Sequence, residues 1–482
     1  MQSAKLLKKH VSSDSANLWM ALMLAVVLLI AHPACADKVK LQGHNANQVG
    51  ATFRNFSAVN MGGSGDASLY GNALSMNRLE ILWVHVEPTK GNWDQMFLDR
   101  YAAGVLERKN NNVESLVLLA YGADWSADPK DQIYHGGHPA YISTEHIPDW
   151  VNYVDRVVSH LSAPPFNVKY FQIWNEPYQE GCGFWGGSAD EYFTNAYLPA
   201  AGKIRELGCK VVYGGWPSCQ DLSTWVALMD KHKAWDDTDV LSFHYQSGWM
   251  TVWAWPRMRA ASTRRGFPDM PIWTTEVGAI GNGEWFTDWY TKLFYWAITN
   301  GADKNPDMVK TFYFKESEHD PNSYHYTRDL YQGDKITERG LGLQTTADVF
   351  DGGPVTAYKN FSNDHGFTAD IASFGHGASA IEGFEIHARP RRIVAAFQLR
   401  EEDLKDSATN KITLTYPQLL TAVAVRNVTR VDPAGHTTNL RPVYSSRGME
   451  VIVPIANDPA SLAQSWNIGT VSPFFVVITM SE

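Results

Sequence analysis

The segment Phe171-Gln172-Ile173-Trp174-Asn175-Glu176-Pro177 reads as a short apolar strand that runs into an amide, a carboxylate and a helix-incompatible proline. Further along, Pro271-Ile272-Trp273-Thr274-Thr275-Glu276-Val277-Gly278 is a second apolar strand that ends in a carboxylate. Two carboxyl groups sharing one pocket can cleave an acetal, one protonating the departing oxygen while the other attacks the anomeric carbon. Double displacement needs them about 5–5.5 Å apart, a distance at which each anion disfavours ionisation of the other and raises the pKa of the group that must arrive protonated. Motifs for rival chemistries are missing from the chain: there is no His-Glu-x-x-His, no Walker-type loop and no Gly-x-Ser-x-Gly. No metal and no cofactor is therefore expected.

Such a pair requires strand ends that meet at one mouth. From Val49 to Phe350 short apolar runs alternate with longer amphipathic segments, the pattern of repeated βα units around a parallel sheet. Strand ends are expected near Arg54, Arg78, Trp125, Glu176, Trp216, Gln246, Glu276 and Glu316, enough to close a (β/α)8 barrel. Helices are clearest at Trp150 to Leu161, Asp190 to Leu207, Leu222 to Trp235 and Thr287 to Thr299, where apolar residues recur at three- and four-residue spacing. After Asp351-Gly352-Gly353-Pro354 the texture changes to short β-branched runs, at Arg392 to Leu399, Lys411 to Tyr416, Thr421 to Val428 and Met449 to Ile455. Residues 37–352 are thus expected to form the barrel and residues 356–482 a C-terminal all-β sandwich.

With these motifs in place, the sequence resembles the clan A glycoside hydrolases, whose fourth barrel strand ends in Asn-Glu-Pro and whose seventh ends in a nucleophilic Glu. A third match is Arg78, Trp83, Glu87 and Pro88, followed by Lys90-Gly91, Trp93-Asp94 and Leu98-Asp99-Arg100. The texture is closest to the branch of β-xylosidases and α-L-iduronidases. The resemblance implies a retaining β-glycoside hydrolase acting on oligo- or polysaccharides, with Glu176 as general acid/base and Glu276 as nucleophile. It places Arg78 beneath the catalytic centre, holding Glu276 ionised by opposite charge, and has Asn175 donate to the sugar 2-hydroxyl. Where the clan often carries His-x-Tyr after the sixth strand, this chain has His244-Tyr245-Gln246. Alternation sets His244 and Gln246 on one face and Tyr245 on the other, so the Gln246 amide is expected in place of the usual phenol. The eighth strand, Thr311 to Glu316, lacks the clan's Trp, and Tyr313, Phe314 or an indole from a loop is expected as its substitute. Trp125 matches the third-strand aromatic of the xylosidase-like branches and is expected to stack on sugar. Trp185, Trp216, Trp249, Trp253 and Trp285 also follow strand ends. The alternatives are a decayed barrel that binds carbohydrate without turnover, and a transglycosylase or exopolysaccharide-associated hydrolase.

The chain of 482 residues has a formal charge of −10 and no basic cluster, which excludes a polyanionic partner such as nucleic acid. Its N-terminus reads as an export signal over residues 1–36: Lys5, Lys8 and Lys9, an apolar run from Leu18 to Ile30, and Ala34-Cys35-Ala36 before Asp37. The expected location is secreted or periplasmic, without stable membrane insertion once the signal is cleaved; an uncleaved anchor is the alternative. Cys182 and Cys219 follow the ends of the fourth and fifth strands and are expected to form a disulfide, whereas Cys209 precedes the fifth strand and is expected to be free.

Overall fold

A computed structural model describes residues 52–480 apart from 61–72, 128–133, 136–137, 178–182, 218–219, 245–247, 279–282, 299–304, 306, 315–328, 333–334, 351–354, 361–380, 389–391, 401–410, 417–424, 447 and 455–470. The export signal, the Cys182 to Cys219 disulfide and Gln246 lie outside the described residues. No helix among the described residues is long and apolar enough to cross a membrane.

Parallel strands build one sheet: β1 (Ser57–Asn60), β2 (Met76–Leu82), β3 (Glu114–Ala120), β4 (Tyr170–Ile173), β5 (Lys210–Val212), β6 (Trp216–Pro217), β7 (Leu241–His244), β8 (Ile272–Val277) and β9 (Thr311–Phe314). β5 and β6 are two pieces of a single barrel strand, interrupted at Gly214-Gly215. β5 pairs with β4, β6 pairs with β7, and β1 pairs with β9 at the other seam, so the sheet closes on itself as a (β/α)8 barrel. The first strand lies later than expected. Thr52 caps a helical turn at Phe53–Phe56, its hydroxyl accepting from Asn55 N at 3.1 Å, and β1 starts only at Ser57. Arg78 is likewise in the middle of β2, not at its end.

The helices start where short polar side chains can accept backbone N–H groups. Asp94 accepts from Phe97 N at 2.9 Å before α1 (Gln95–Asn110). α2 (Ile147–Ser162) carries proline in its first turn and buries Trp150, Tyr153, Val154, Val157, Val158 and Leu161, a single apolar stripe against the sheet. Ser188 and Glu191 form a capping box ahead of a π-helical turn (Tyr192–Tyr197) and α3 (Leu198–Glu206). α4 (Leu222–Lys231), α5 (Gly248–Arg264), α6 (Gly283–Ala297) and α7 (Glu338–Phe350) complete the outer layer.

Inside the barrel, side chains stack in layers because alternate residues of each strand point inward. Ala58, Met76, Leu116, Val212, Val240, Trp273 and Phe312 form a buried apolar floor. Two residues further along their strands stand Asn60, Arg78, Ser242 and Thr275, all buried and polar, with Gln172 of β4 beside them. An apolar floor under a polar layer is what a charged site above it needs.

Beyond α7 the strands are antiparallel. β10 (Val355–Asn360), β11 (Ile381–Ala388), β12 (Arg392–Arg400), β18 (Val471–Met480), β14 (Val425–Val431) and β15 (Thr437–Asn439) form one sheet in that order. β13 (Lys411–Tyr416), β17 (Gly448–Pro454) and β16 (Pro442–Ser445) form the other, giving the two sheets of the expected all-β module. Val394, Ala396, Val431, Phe475 and Val477 of this module belong to the same continuous apolar core as the barrel's outer layer, and Phe350 meets Phe475 at a ring separation of 6.4 Å.

Candidate active site

Glu176 follows β4 in a backbone that side chains rarely adopt, with φ of +67° at Trp174 and +42° at Glu176 itself. Hydrogen bonds hold this turn: Glu176 N donates to Gly214 O at 2.8 Å, and Phe184 N donates to Glu176 O at 2.9 Å. Such conformations persist where the surroundings over-determine them, which is common at sites of function. Glu276 reaches the same mouth by another device. Simple alternation along β8 would point it away from the face that carries Thr275, but the register shifts between Thr274 and Glu276 against β7, and between Thr274 and Val277 against β9. The irregularity sets Glu276 opposite His244 and turns its carboxyl inward, a common use of a bulge beside an active site. One carboxylate oxygen of each glutamate and a ring nitrogen of His244 all lie within 4.8 Å of one another.

Arg78 lies directly beneath. Its Nε donates to Gln172 Oε1 at 2.6 Å, Nη1 to Asn60 Oδ1 at 3.3 Å and Nη2 to Asn175 Oδ1 at 2.6 Å, while Nη1 stands 3.6 Å from Glu276 Oε2. Gln172 is in turn fixed by donating from Nε2 to Tyr213 O, Ser242 Oγ and Thr275 Oγ1 at 2.9–3.1 Å. A buried guanidinium held on several sides is an oriented charge that does not reorganise during a reaction.

Burial pushes the Glu176 carboxyl up to about 7, against the attraction of Arg78, so it keeps its proton into the neutral range. Glu276 is also raised, first by burial; His244 and Arg78 pull it down, while Glu176 and Glu80 push it up. Arg78 lowers this group as expected, but a single ion pair at 3.6 Å does not offset the loss of water around the carboxyl, so the net shift is upward. Burial drives His244 down to about 3, leaving the ring neutral between two acids.

His244 is the hinge of the arrangement. Its Nδ1 is 3.0 Å from Glu176 Oε1 and 3.4 Å from Glu276 Oε2, and its Nε2 is 2.9 Å from Thr275 Oγ1. The ring lies in space left by Gly215, where φ is +83° and an added Cβ would stand 2.2 Å from Nε2.

The other expected residues are placed unevenly. Asn175 joins the cluster through Arg78. Trp125 sits on the turn after β3, donates from Nε1 to Glu87 O at 2.8 Å, and packs edge-on to Trp83, with Lys90 Nζ 5.5 Å over its ring. Tyr313 does not face the pocket: Phe312 belongs to the barrel floor, so alternation turns Tyr313 outward into the core shared with Tyr290, and Phe314 takes the inward position. Trp216 at the split strand stacks with Trp253 at 6.3 Å, whereas Trp185 is buried in the outer core. Cys209 is free and buried, and the side chains of Trp249 and Trp285 lie outside the described residues. Sequence reading passed over Glu80, two residues beyond Arg78 on the same face of β2, although the alternation that places Arg78 inward places it too. Tyr121 makes contact with both Glu80 and Asn175 and so ties this third acid to the cluster.

No family model and no curated protein matches the sequence. Solved structures do. A family 39 glycoside hydrolase from Xanthomonas axonopodis pv. citri matches at 12% identity over 90% of this chain and 96% of its own, with a TM-score of 0.56. A monomeric β-xylosidase from Caulobacter crescentus CB15 matches at 12% identity over 90% and 98%, with a TM-score of 0.55. A family 30 endoxylanase from Clostridium papyrosolvens C71 matches at 13% identity over 90% and 98%, with a TM-score of 0.54. At such identities what is shared is architecture, and the neighbours are those to which the Asn-Glu-Pro resemblance pointed: this chain has the barrel-plus-β-module fold of family 39 and family 30 glycoside hydrolases.

Proposed function

We propose that this protein is a retaining β-glycoside hydrolase acting on carbohydrate chains by double displacement. The observation that carries the reading is the approach of Glu176 and Glu276 within 4.8 Å in one barrel mouth, over a guanidinium. Glu276 attacks the anomeric carbon and the glycosidic bond breaks as Glu176 gives its proton to the leaving oxygen. Glu176 then removes a proton from water, which displaces Glu276 and restores both groups. A carboxyl that holds its proton up to about 7 suits the first task. The structural neighbours, a β-xylosidase and an endoxylanase among them, favour a pentose-containing substrate.

The test is turnover of aryl β-glycosides, starting with the xyloside, by the purified chain. Glu276→Gly should abolish hydrolysis, and azide should then yield a glycosyl azide. Activity that persists in both Glu276→Gly and Glu176→Gln without azide sinks the assignment.

A further inference from the structure

We propose that Glu176, His244 and Glu276 together form a binding site for a transition-metal dication of the zinc class, and that its occupation blocks glycoside cleavage. The inhibitory part rests on the function proposed above; the binding part rests on geometry alone.

Zinc takes imidazole nitrogen and carboxylate oxygen at about 2.0–2.2 Å in a tetrahedral arrangement, which sets neighbouring donor atoms roughly 3.3 Å apart. His244 Nδ1 stands 3.0 Å from Glu176 Oε1 and 3.4 Å from Glu276 Oε2, so two edges of that tetrahedron are already close to the required length. The third edge, between the two carboxylates, is within 4.8 Å and closes by rotation of flexible glutamate side chains. Three protein ligands leave a fourth position for water, as at open zinc sites.

A second observation separates this cluster from a mere gathering of acids. The imidazole is buried and aimed, with Nε2 fixed by Thr275 Oγ1 at 2.9 Å and the ring seated in the space over Gly215. Thr275 Oγ1 is itself held by Gln172 at 3.1 Å. An outer partner on the far ring nitrogen is how ligand histidines are normally oriented. A dication that displaces the Glu176 proton leaves two carboxylates facing one guanidinium, a net negative charge to balance it. Arg78, 3.6 Å from Glu276 Oε2, opposes the metal and limits its affinity. The mixed nitrogen and oxygen donors select zinc, copper and nickel over calcium and magnesium, which favour oxygen shells of six or more.

A metal here engages the lone pair that Glu276 needs for attack and excludes the proton from Glu176. Substrate and metal therefore compete. The experiment titrates zinc chloride into the full chain after chelator treatment, by calorimetry and by aryl β-xyloside hydrolysis. The expected result is one zinc per chain, an apparent KM that rises with zinc at unchanged kcat, full reversal by chelator, and no effect of magnesium at equal concentration. Glu276→Gln and His244→Ala should each weaken zinc binding at least tenfold, the first without emptying the site of a side chain. Equal zinc affinity in Glu276→Gln and the parent, or hydrolysis unaffected by zinc up to millimolar, overturns the proposal. Residue-dependent zinc binding in a chain that hydrolyses no glycoside keeps the metal site and overturns the hydrolase reading.

Discussion

Arg78 donates from Nη2 to Asn175 Oδ1 at 2.6 Å, and this bond fixes which end of the Asn175 amide is free for work. Its oxygen is used by the guanidinium, so its nitrogen, which also meets Tyr121, is the end that can donate a second hydrogen to a sugar hydroxyl. Asn175→Asp should keep the contact with Arg78 but exchange donor for acceptor. A fall in kcat/KM of about 10²–10³ on substrates that carry a 2-hydroxyl is expected, in the range measured for loss of one transition-state donor. On 2-deoxy glycosides the same variant should lose far less; an equal loss on both would show that the amide does not meet that hydroxyl.

The pH profile follows from the two acids. Glu176 must be protonated and Glu276 ionised in the free enzyme, so kcat/KM should fall above pH of about 7 as Glu176 loses its proton. On the acid side it should fall as Glu276 gains one, at a pH above the ordinary carboxylate range because burial raises that group. The profile is a bell on the acid side of neutrality, measurable with any aryl glycoside turned over. An alkaline optimum would contradict the protonation states assigned here.

Raising a carboxyl to about 7 also weakens the fold at higher pH. The unfolded chain releases this proton near the ordinary value while the folded chain keeps it, so stability falls as pH rises from there to about 7 and stays low above. At about 1.4 kcal/mol per unit the cost is roughly 3 kcal/mol. Glu176→Gln has no proton to lose. It should leave melting nearly unchanged at pH 4.5 and raise it by several degrees at pH 8, and calorimetric scans showing the same shift at both would argue against a buried, proton-holding Glu176.

Glu80 is a third acid at the mouth, its own carboxyl raised by burial. After burial and Glu176 it is among the groups that raise Glu276, so Glu80→Gln should lower the Glu276 pKa and move the acid limb of kcat/KM to lower pH. The alkaline limb, set by Glu176, should stay in place. A shift of the alkaline limb alone would assign Glu80 to the wrong partner.

Gly215 has no side chain because His244 occupies its space. Gly215→Ala meets both a disfavoured φ and a ring nitrogen at 2.2 Å. The expected cost is about 1–3 kcal/mol in stability. Displacing the ring by even an ångström should lower kcat/KM by roughly 10²-fold. Unaltered kinetics would mean that the ring position is immaterial to catalysis.

The barrel and the two glutamates could be read from the chain because strand ends carry their own signature, an apolar run stopped by a polar residue and then Pro or Gly. Arg78 was legible through the resemblance of its motif, and His244 through the end of its strand and the alternation that follows. What sequence could not supply is where alternation breaks. The bulge after Thr274, the left-handed turn at Trp174 and Glu176, and the split strand at Gly214-Gly215 each depend on neighbouring strands. Sequence leaves Tyr313 and Phe314 undecided for a related reason: an aromatic run such as Phe312-Tyr313-Phe314 has no polar member to mark its inward face. The net direction of the Glu276 shift is not visible in sequence, because burial, a property of the assembled mouth, outweighs the visible partner Arg78.

The apolar seam that joins Phe350 of α7 to Phe475 of β18 makes the two lobes interdependent. Cutting the chain after the barrel would leave a greasy scar on the helical wall, so neither lobe is an interchangeable cassette. Anyone grafting this two-glutamate mouth onto another scaffold inherits its β companion as well.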